Sequence, residues 1–379
     1  FDGRSTDAIA ELTHRFDNGG YGRIAVRGSK RATDYLYAFT GRNASTGVTN
    51  LAYTARDLEQ DTLAVDANYS QPFALLGQVS EFVVGTDFKR YETDYADARG
   101  NLGVIDVDSY HPSDKPRPNV TFGTPTETEE REAGLYAKLT FRPFERLALI
   151  GGARVSSYTG ENSTAAHDVR ESGHVTPYGG LVFDLDAQHS LYASYSQVFK
   201  PQTEADAGGR IIEPREGEQY EVGIKGSYYG GDLNARLSEA SGKTRIRGGE
   251  LEVSGYLTPD WELLAGYTYM KSENLAGDEN ALFALMPRHQ ASLWSKYTLP
   301  GGPLRGLGLG AGISAMSDFS IERAGSPRLS APGYAVVDAK LSYPLTDKLT
   351  ATFAANNLLD RKYYSRVGSV GTFNFYGPS

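Results

Sequence analysis

The chain has 379 residues, 40% of them hydrophobic, with a formal net charge of -9, 43 Gly, 25 Tyr, 3 Met and no Cys. That charge, with no basic aromatic cluster to offset it, excludes a nucleic-acid partner, and the lack of any run of about 18 apolar residues excludes a helical membrane span. No Pro/Ser-rich linker or shift of composition divides the chain, so it reads as one domain over 1–379, and the missing Cys fits an oxidising compartment without disulfides.

In chain order, strand patterns are joined alternately by a tight turn and a long polar loop. The tight turns fall at Asp17-Asn18-Gly19-Gly20, around Pro72, at Pro143-Phe144-Glu145, from Asp184 to Gln188, at Tyr229-Gly230-Gly231, at Thr258-Pro259-Asp260, from Pro300 to Pro303 and from Pro344 to Lys348. Each carries Gly, Pro, Asn or Asp, the residues that reverse a chain cheaply, and together they imply eight up-and-down hairpins, about 16 strands. The longer connections run from Asp97 to Glu130, Glu161 to Arg170, Pro201 to Glu216 and Ser272 to Pro287. One trimmed end and one elaborated end is the division between periplasmic turns and outer loops in an outer-membrane barrel.

The faces agree with that division. Leu63, Val65, Ala67 and Tyr69 interleave with Thr62, Ala64, Asp66 and Asn68, and Leu135, Ala137, Leu139 and Phe141 with Tyr136, Lys138, Thr140 and Arg142. Phe82, Val84 and Phe88 oppose Glu81, Asp87 and Lys89, while Leu251 and Val253 oppose Glu250 and Glu252. A soluble antiparallel sandwich or propeller also alternates, but so many charges on inner positions are costly in a dry core and acceptable in a wet lumen. The fold class expected is therefore all-β: a transmembrane antiparallel up-and-down β-barrel. The 25 Tyr suit its aromatic girdles. Two irregularities accompany this reading. With the first strand running towards a tight turn and the last, Leu349 to Tyr363, running away from one, both ends fall on the long-loop side, so strands are expected to be missing at each end. From Gly231 to Leu237 the strand is also short of the roughly 9–11 residues that span a membrane.

Several stretches carry a resemblance: Ser190 to Gln202, Glu213 to Gly226, Gly248 to Gly255 and Thr258 to Tyr269. The most telling are Pro332-Gly-Tyr-Ala-Val-Val-Asp-Ala339, Asn356-Asn-Leu-Leu-Asp-Arg-Lys-Tyr-Tyr364 and the Gly-rich Val367 to Gly377. Together they resemble the TonB-dependent ferric-siderophore receptors. That resemblance implies a 22-stranded barrel closed by an N-terminal plug, of which this chain holds roughly strands six to twenty-one. It implies that the plug, the TonB-contacting segment, the first strands and the last strand lie outside the chain, and that the hairpin near Leu237 is shortened. The implied function is capture of a ferric siderophore and import with TonB-derived energy at the bacterial outer membrane. The implied partners are the siderophore, TonB through the missing N-terminal region, and outer-membrane lipid; no cofactor is implied, iron entering only as part of the cargo. A passive porin-like or structural barrel is the alternative that about 16 strands without a plug leave open.

Such a site needs aromatic rings to pack on the chelate, Arg or Lys to meet anionic oxygens, and amides or hydroxyls to orient it. Strand parity selects the residues. Ile24 and Val26 towards lipid place Arg27, Arg31, Tyr35, Tyr37 and Phe39 on the inner side; Val84 and Phe88 outward place Tyr91 and Tyr95 inward; Leu149, Gly151, Ala153 and Val155 outward place Arg154 and Tyr158 inside. The expected ligand contacts are thus Tyr35, Tyr37, Phe39, Arg56, Tyr91, Tyr95, Arg154 and Tyr158, although a bulge reverses parity and rim Tyr and Arg also serve as girdle or wall residues.

Enzymatic chemistry fits poorly. A nucleophile or water-activating pair needs a His beside it, and His14, His111, His167, His174, His189 and His289 are scattered over loops, turns and strand ends. His189 reads as a turn residue. His167 and His174 flank one outer loop, where metal or haem is conceivable but no second ligand cluster accompanies them. Glu127, Glu129, Glu130 and Glu132 read as a solvated loop edge. Gly306 to Gly312 opens no helix and so reads as a curved strand, not a phosphate loop.

Overall fold

The structure, a computed structural model, describes residues 2–40, 47–163, 168–202, 214–242, 245–273, 287–323, 326–367 and 375–377. Its main sheet has 16 strands in chain order. They are β1 (Asp2–Arg15), β2 (Tyr21–Thr40), β3 (Val48–Leu75), β4 (Gln78–Asp106), β5 (Thr126–Phe144), β6 (Leu147–Asn162), β7 (Val169–Asp184) and β8 (His189–Lys200). The series continues with β9 (Arg215–Tyr228), β10 (Leu233–Gly242), β11 (Arg245–Thr258), β12 (Trp261–Glu273), β13 (His289–Thr298), β14 (Gly308–Met316), β17 (Tyr334–Thr346) and β18 (Leu349–Ala355). Two small hairpins stand apart, β15 (Phe319–Arg323) with β16 (Ser326–Ala331), and β19 (Tyr364–Arg366) with β20 (Phe375–Tyr376). Every registered pair is antiparallel, and all eight expected hairpins are present. No helix among the described residues is long and apolar enough to cross a membrane. The outer loop segments 203–213 and 274–286, His167, Glu213 and most of the Gly-rich tail (368–374) lie outside the described residues.

Contacts group the chain into two units, each describable by itself. In the first (Phe1–Glu145, Leu149–Gly179 and Gln197–Glu216) the register keeps like residues on like faces. Ile24 opposes Ala67, Val26 opposes Val65, Val65 opposes Phe88 and Phe82 opposes Leu139. Among the described residues of this unit the apolar face stays open: Leu135 is 66% and Val84 46% exposed, an arrangement that water would penalise and lipid favours. The other face carries charge. Arg23 bridges Glu11 at 2.8 Å and Asp66 at 3.0 Å, the Tyr136 hydroxyl donates to Asp66 at 2.9 Å, and Arg154 bridges Asp87 and Glu132. These groups are paired and wet, so the cost of burying charge is avoided.

The second unit (Arg146–Ala148, Gly180–Ser196 and Gly217–Ser379) repeats the division. Ile224 opposes Leu237, Leu237 opposes Leu251 and Ile313 opposes Val337 on the apolar face. On the charged face Arg236 donates to the Tyr192 hydroxyl at 2.8 Å and pairs with Glu221, while Tyr192 donates to Glu221 at 2.6 Å. A small core where Phe319, Ala331 and Val367 are buried against Met316, Leu329, Tyr334 and Tyr364 joins the two outlying hairpins to β14 and β17.

Several local expectations are corrected. The β3–β4 turn is not at Pro72, which pairs with Glu81 inside the ladder, but at Leu76-Gly77, where φ of 54° and 77° builds a two-residue turn whose twist suits a hairpin. The stretch from Asp97 to Glu130 is not all loop: β4 continues to Asp106 and β5 begins at Thr126, because polar side chains on both faces pair across the ladder well past any apolar belt. The Glu127 to Glu132 run therefore lies in a strand, with Glu129 towards Arg90 and Arg131 and Glu132 towards Arg154. β10 is a full strand, paired on both sides from Leu233 to Ser241, so the shortening near Leu237 is not in the strand. The last strand ends at Ala355 and not Tyr363. Asn357, at φ 50°, accepts from Arg361 N–H at 2.8 Å and donates to its carbonyl at 3.1 Å, turning Asn-Leu-Leu-Asp away from the sheet. Gly310 and Gly312 do not serve curvature alone: a Cβ there would lie 2.6 and 2.4 Å from the Trp294 ring, which needs both glycines.

Candidate functional site

The site is built on β2, β3 and β4, whose ladders run unbroken over the residues that matter. Tyr35 lies opposite Arg56, and Arg56 opposite Asp97, so parity puts all three on the charged face. The Arg56 guanidinium grips Asp97 with both prongs, Nε to Oδ1 at 2.5 Å and Nη2 to Oδ2 at 2.7 Å, and its Cζ sits 4.7 Å from the Tyr95 ring centre. The hydrogen bond to Asp97 raises the Arg56 pKa and, in return, holds the Asp97 carboxyl below the usual carboxylate range. Tyr35, Tyr37 and Phe39 continue the cluster as an aromatic row, with successive ring centres 5.7 and 6.1 Å apart. Arg31, opposite Gln60, and Arg99, opposite Thr54, add positive charge on the same face.

Its height follows from the strand. Arg56 is about twenty residues from the Leu76-Gly77 turn, roughly 65 Å of strand and about 50 Å of height at a tilt near 40°, against an apolar band of about 25 Å. The cluster therefore stands clear of the membrane on the long-loop side. Water-accessible rings beside a held guanidinium can stack on a flat chelate while the cation meets its anionic oxygens.

The eight expected residues do not form one site. Tyr35, Tyr37, Phe39, Arg56 and Tyr95 come together. Tyr91 sits about 20 Å along β4 from Asp97, its hydroxyl engaged by the Gln60 amide. Arg154 is deeper still, with Nε donating to Ser156 at 2.9 Å, both Nη atoms on acids, and its guanidinium seated over Gly134, where a Cβ would be 2.3 Å from Cζ. Those partners make it a wall residue. Tyr158 is only 7% exposed. Parity alone missed Asp97, Arg99 and Gln60; Asp97 and Arg99 were hidden inside the stretch read as a loop, where continued polar alternation was the available signal.

The described histidines do not form a centre. His174 stacks on Phe199 at 3.6 Å, and His189 bonds Asp186 at 3.0 Å in the β7–β8 turn, whose carboxylate also accepts the Gln188 and His189 N–H groups. Among the described residues no group of three His, Asp or Glu is placed to hold a metal ion.

Comparison with known proteins places the chain. The family model described as "TonB dependent receptor-like, beta-barrel" matches residues 1–240 and 234–358. The ferric-pyoverdine receptor PbuA of a Pseudomonas species is 30% identical over 97% of this chain and 51% of its own length. The ferrioxamine B receptor of Salmonella typhimurium is 26% identical over 100% of this chain and 57% of its own. The crystal structure of the outer-membrane ferripyoverdine receptor of Pseudomonas aeruginosa bound to ferripyoverdine superposes with a TM-score of 0.86 at 27% identity, covering 98% of this chain and 54% of that one. The chain belongs to the TonB-dependent receptor β-barrel family, which comprises outer-membrane transport receptors and not enzymes. It spans about half the length of the curated relatives it matches.

Proposed function

We propose that the protein containing this chain binds a ferric siderophore at its outer surface and imports it with energy delivered through TonB. The observation that carries the reading is the Tyr35, Arg56, Tyr95 and Asp97 cluster, standing beyond the apolar belt on the charged face of a receptor barrel wall. Membership of a family whose matched relatives are named for ferric pyoverdine and ferrioxamine B supports it. The wall residues Tyr35, Tyr37, Phe39, Arg56 and Tyr95 supply stacking and charge, Tyr91 a hydroxyl below them, and Arg154 and Tyr158 rigidity. Iron belongs to the cargo, and no cofactor of the protein's own is required. Contact with TonB falls to segments of the longer protein.

The test is intrinsic-fluorescence quenching of the full-length receptor, refolded in detergent, against a panel of ferric siderophores and their iron-free forms. Saturable, iron-dependent quenching by one chelate class is the expected result. A folded protein that gives no saturable response is a passive pore or a receptor for another nutrient.

A further inference from the structure

A second cluster of rings and cations lies on the charged face of the second unit. Lys225 stands directly opposite Arg236 in the β9–β10 ladder, and Arg236 directly opposite Glu252 in the β10–β11 ladder. Two cations in a direct cross-strand pair repel, so each is stabilised by an anion of its own. Arg236 has one: Glu221 binds it, the Tyr192 hydroxyl accepts its Nε–H at 2.8 Å, and Glu252 stands 3.8 Å away. Lys225 instead rests its ammonium 4.7 Å from the centre of the Tyr192 ring, and among the described residues no carboxylate pairs with it. One row nearer the short turn, Ser227, Asn234 and Ser254 oppose one another in the same ladders. Their short side chains leave a cavity of about 300 Å³ that Lys225, Arg236 and Glu252 border. Asn234 donates its amide N–H to the Gly231 carbonyl at 3.0 Å, which leaves its amide oxygen as an acceptor.

The cavity sits at the periplasmic end of its strands. Lys225 is three residues before Tyr228, where β9 ends, and Arg236 three residues past Leu233, where β10 begins. That is roughly 10 Å along the strand and about 8 Å of height above the short turn, whereas the Arg56 cluster stands at the long-loop end of its own strands. Both clusters combine a carboxylate-held arginine with a tyrosine ring under a cation. We propose that this cavity is an exit-side subsite for the same ferric siderophore, in which Lys225 meets an anionic oxygen at the periphery of the chelate and Ser227, Asn234 and Ser254 hold polar atoms of one of its arms. The inference rests on the siderophore reading above. At about 300 Å³ the cavity is at the small end of ligand pockets, so it seats an arm and not the whole chelate. With one cation left to offer and no planar fork, it holds the chelate more weakly than the Arg56 cluster, as a point of departure requires.

The experiment uses the full-length receptor in energised cells, with Ser254→Cys as a reporter on the cavity floor in a chain that has no other cysteine. The rate of its labelling by a charged maleimide is read at that site by mass spectrometry, with and without the ferric siderophore that quenches the receptor saturably in the titration above. The chelate is expected to slow labelling several-fold during uptake. Adding Lys225→Gln should abolish that protection and lower the initial uptake rate roughly tenfold, the worth of one charge-assisted hydrogen bond, while Lys225→Arg keeps the cation and should preserve both. A wall residue that only braces the barrel would give no chelate-dependent protection to lose. The quenching titration, repeated on each variant, reports the fold and the outer cluster separately. Saturable quenching with unchanged labelling, or protection that survives Lys225→Gln, would overturn the exit subsite alone; absence of quenching by every chelate would overturn the siderophore reading and this inference with it.

Discussion

Replacing Arg56 by Ala separates a ligand-binding role from a wall role. Arg56 and Asp97 side chains are 34% and 35% exposed, so their mutual attraction is screened, and removing one partner should cost no more than about 1 kcal/mol of stability. A charge-assisted hydrogen bond to a bound anionic chelate contributes about 1.5–3 kcal/mol, and the exposure of this site favours the lower end. Since about 1.4 kcal/mol is tenfold, Arg56→Ala should weaken ferric-siderophore binding roughly tenfold in a quenching titration, with the urea midpoint little changed. Arg56→Lys keeps the charge but loses the planar fork that sits over Tyr95 and against Asp97, so it should recover only part of the affinity. Asp97→Ala leaves the cation in place but unanchored and should cost less than Arg56→Ala. Affinity within twofold of wild type for folded Arg56→Ala would refute the assignment. A large loss of stability instead would make Arg56 a structural residue like Arg154.

The acid response should differ at two neighbouring carboxylates. Asp97 is held below the ordinary range by Arg56, so the pair's contribution is present above the unfolded-state pKa near 4 and is lost as pH falls through the lower folded value; thermal melts from pH 8 to 5 should show no change attributable to it. Asp57 is shifted upward, by desolvation first and then by its contact with Asp34 directly opposite, so its ionised form opposes folding at neutral pH; Asp57→Asn should stabilise at pH 7 and lose that advantage at pH 3, and an equal effect at both values would contradict the assignment. Gly312→Val should cost about 1–3 kcal/mol in urea unfolding by expelling the Trp294 ring, with Trp294→Ala largely rescuing it; an unrescued loss would place the strain elsewhere. Asn357→Ala removes the side chain that closes the 357–361 turn and leaves a Cβ at φ 50°, so amide exchange at Arg361 should accelerate while that of β17 stays slow.

What the sequence made legible was whatever hydrophobic alternation and turn chemistry encode. The hairpins were readable because most of their turns carry Gly, Pro, Asn or Asp where the chain reverses; at the β3–β4 turn Pro72 drew the expected reversal away from Leu76-Gly77, and the β5–β6 reversal falls on Glu145-Arg146, just past the expected Pro143-Phe144-Glu145. The upper halves of β3 and β4 were not readable, since beyond the membrane both faces are wet and alternation loses its apolar partner. Arg56 opposite Asp97 looks like loop composition until the register is known. Parity placed Tyr35, Tyr37, Phe39, Arg56, Tyr91 and Tyr95 on one face, because the β2–β3 ladder has no bulge from Tyr21 to Thr40 and the β3–β4 ladder has none between Arg56 and its turn. It could not say that Arg154 is consumed by Asp87, Glu132 and Ser156, which depends on three separate strands meeting.

The same ladders that position the cluster also limit what it can do. Tyr35, Arg56 and Tyr95 lie on adjacent hydrogen-bonded strands, with no register shift between Arg56 and the β3–β4 turn. Shifting one of these side chains relative to the others by even one residue would reverse faces and break Arg56 from Asp97. The wall can therefore offer a fixed set of rings and one anchored cation, but it cannot itself switch between holding and releasing a ligand. On the proposed reading, work that frees a bound chelate has to act on a part that moves against this wall.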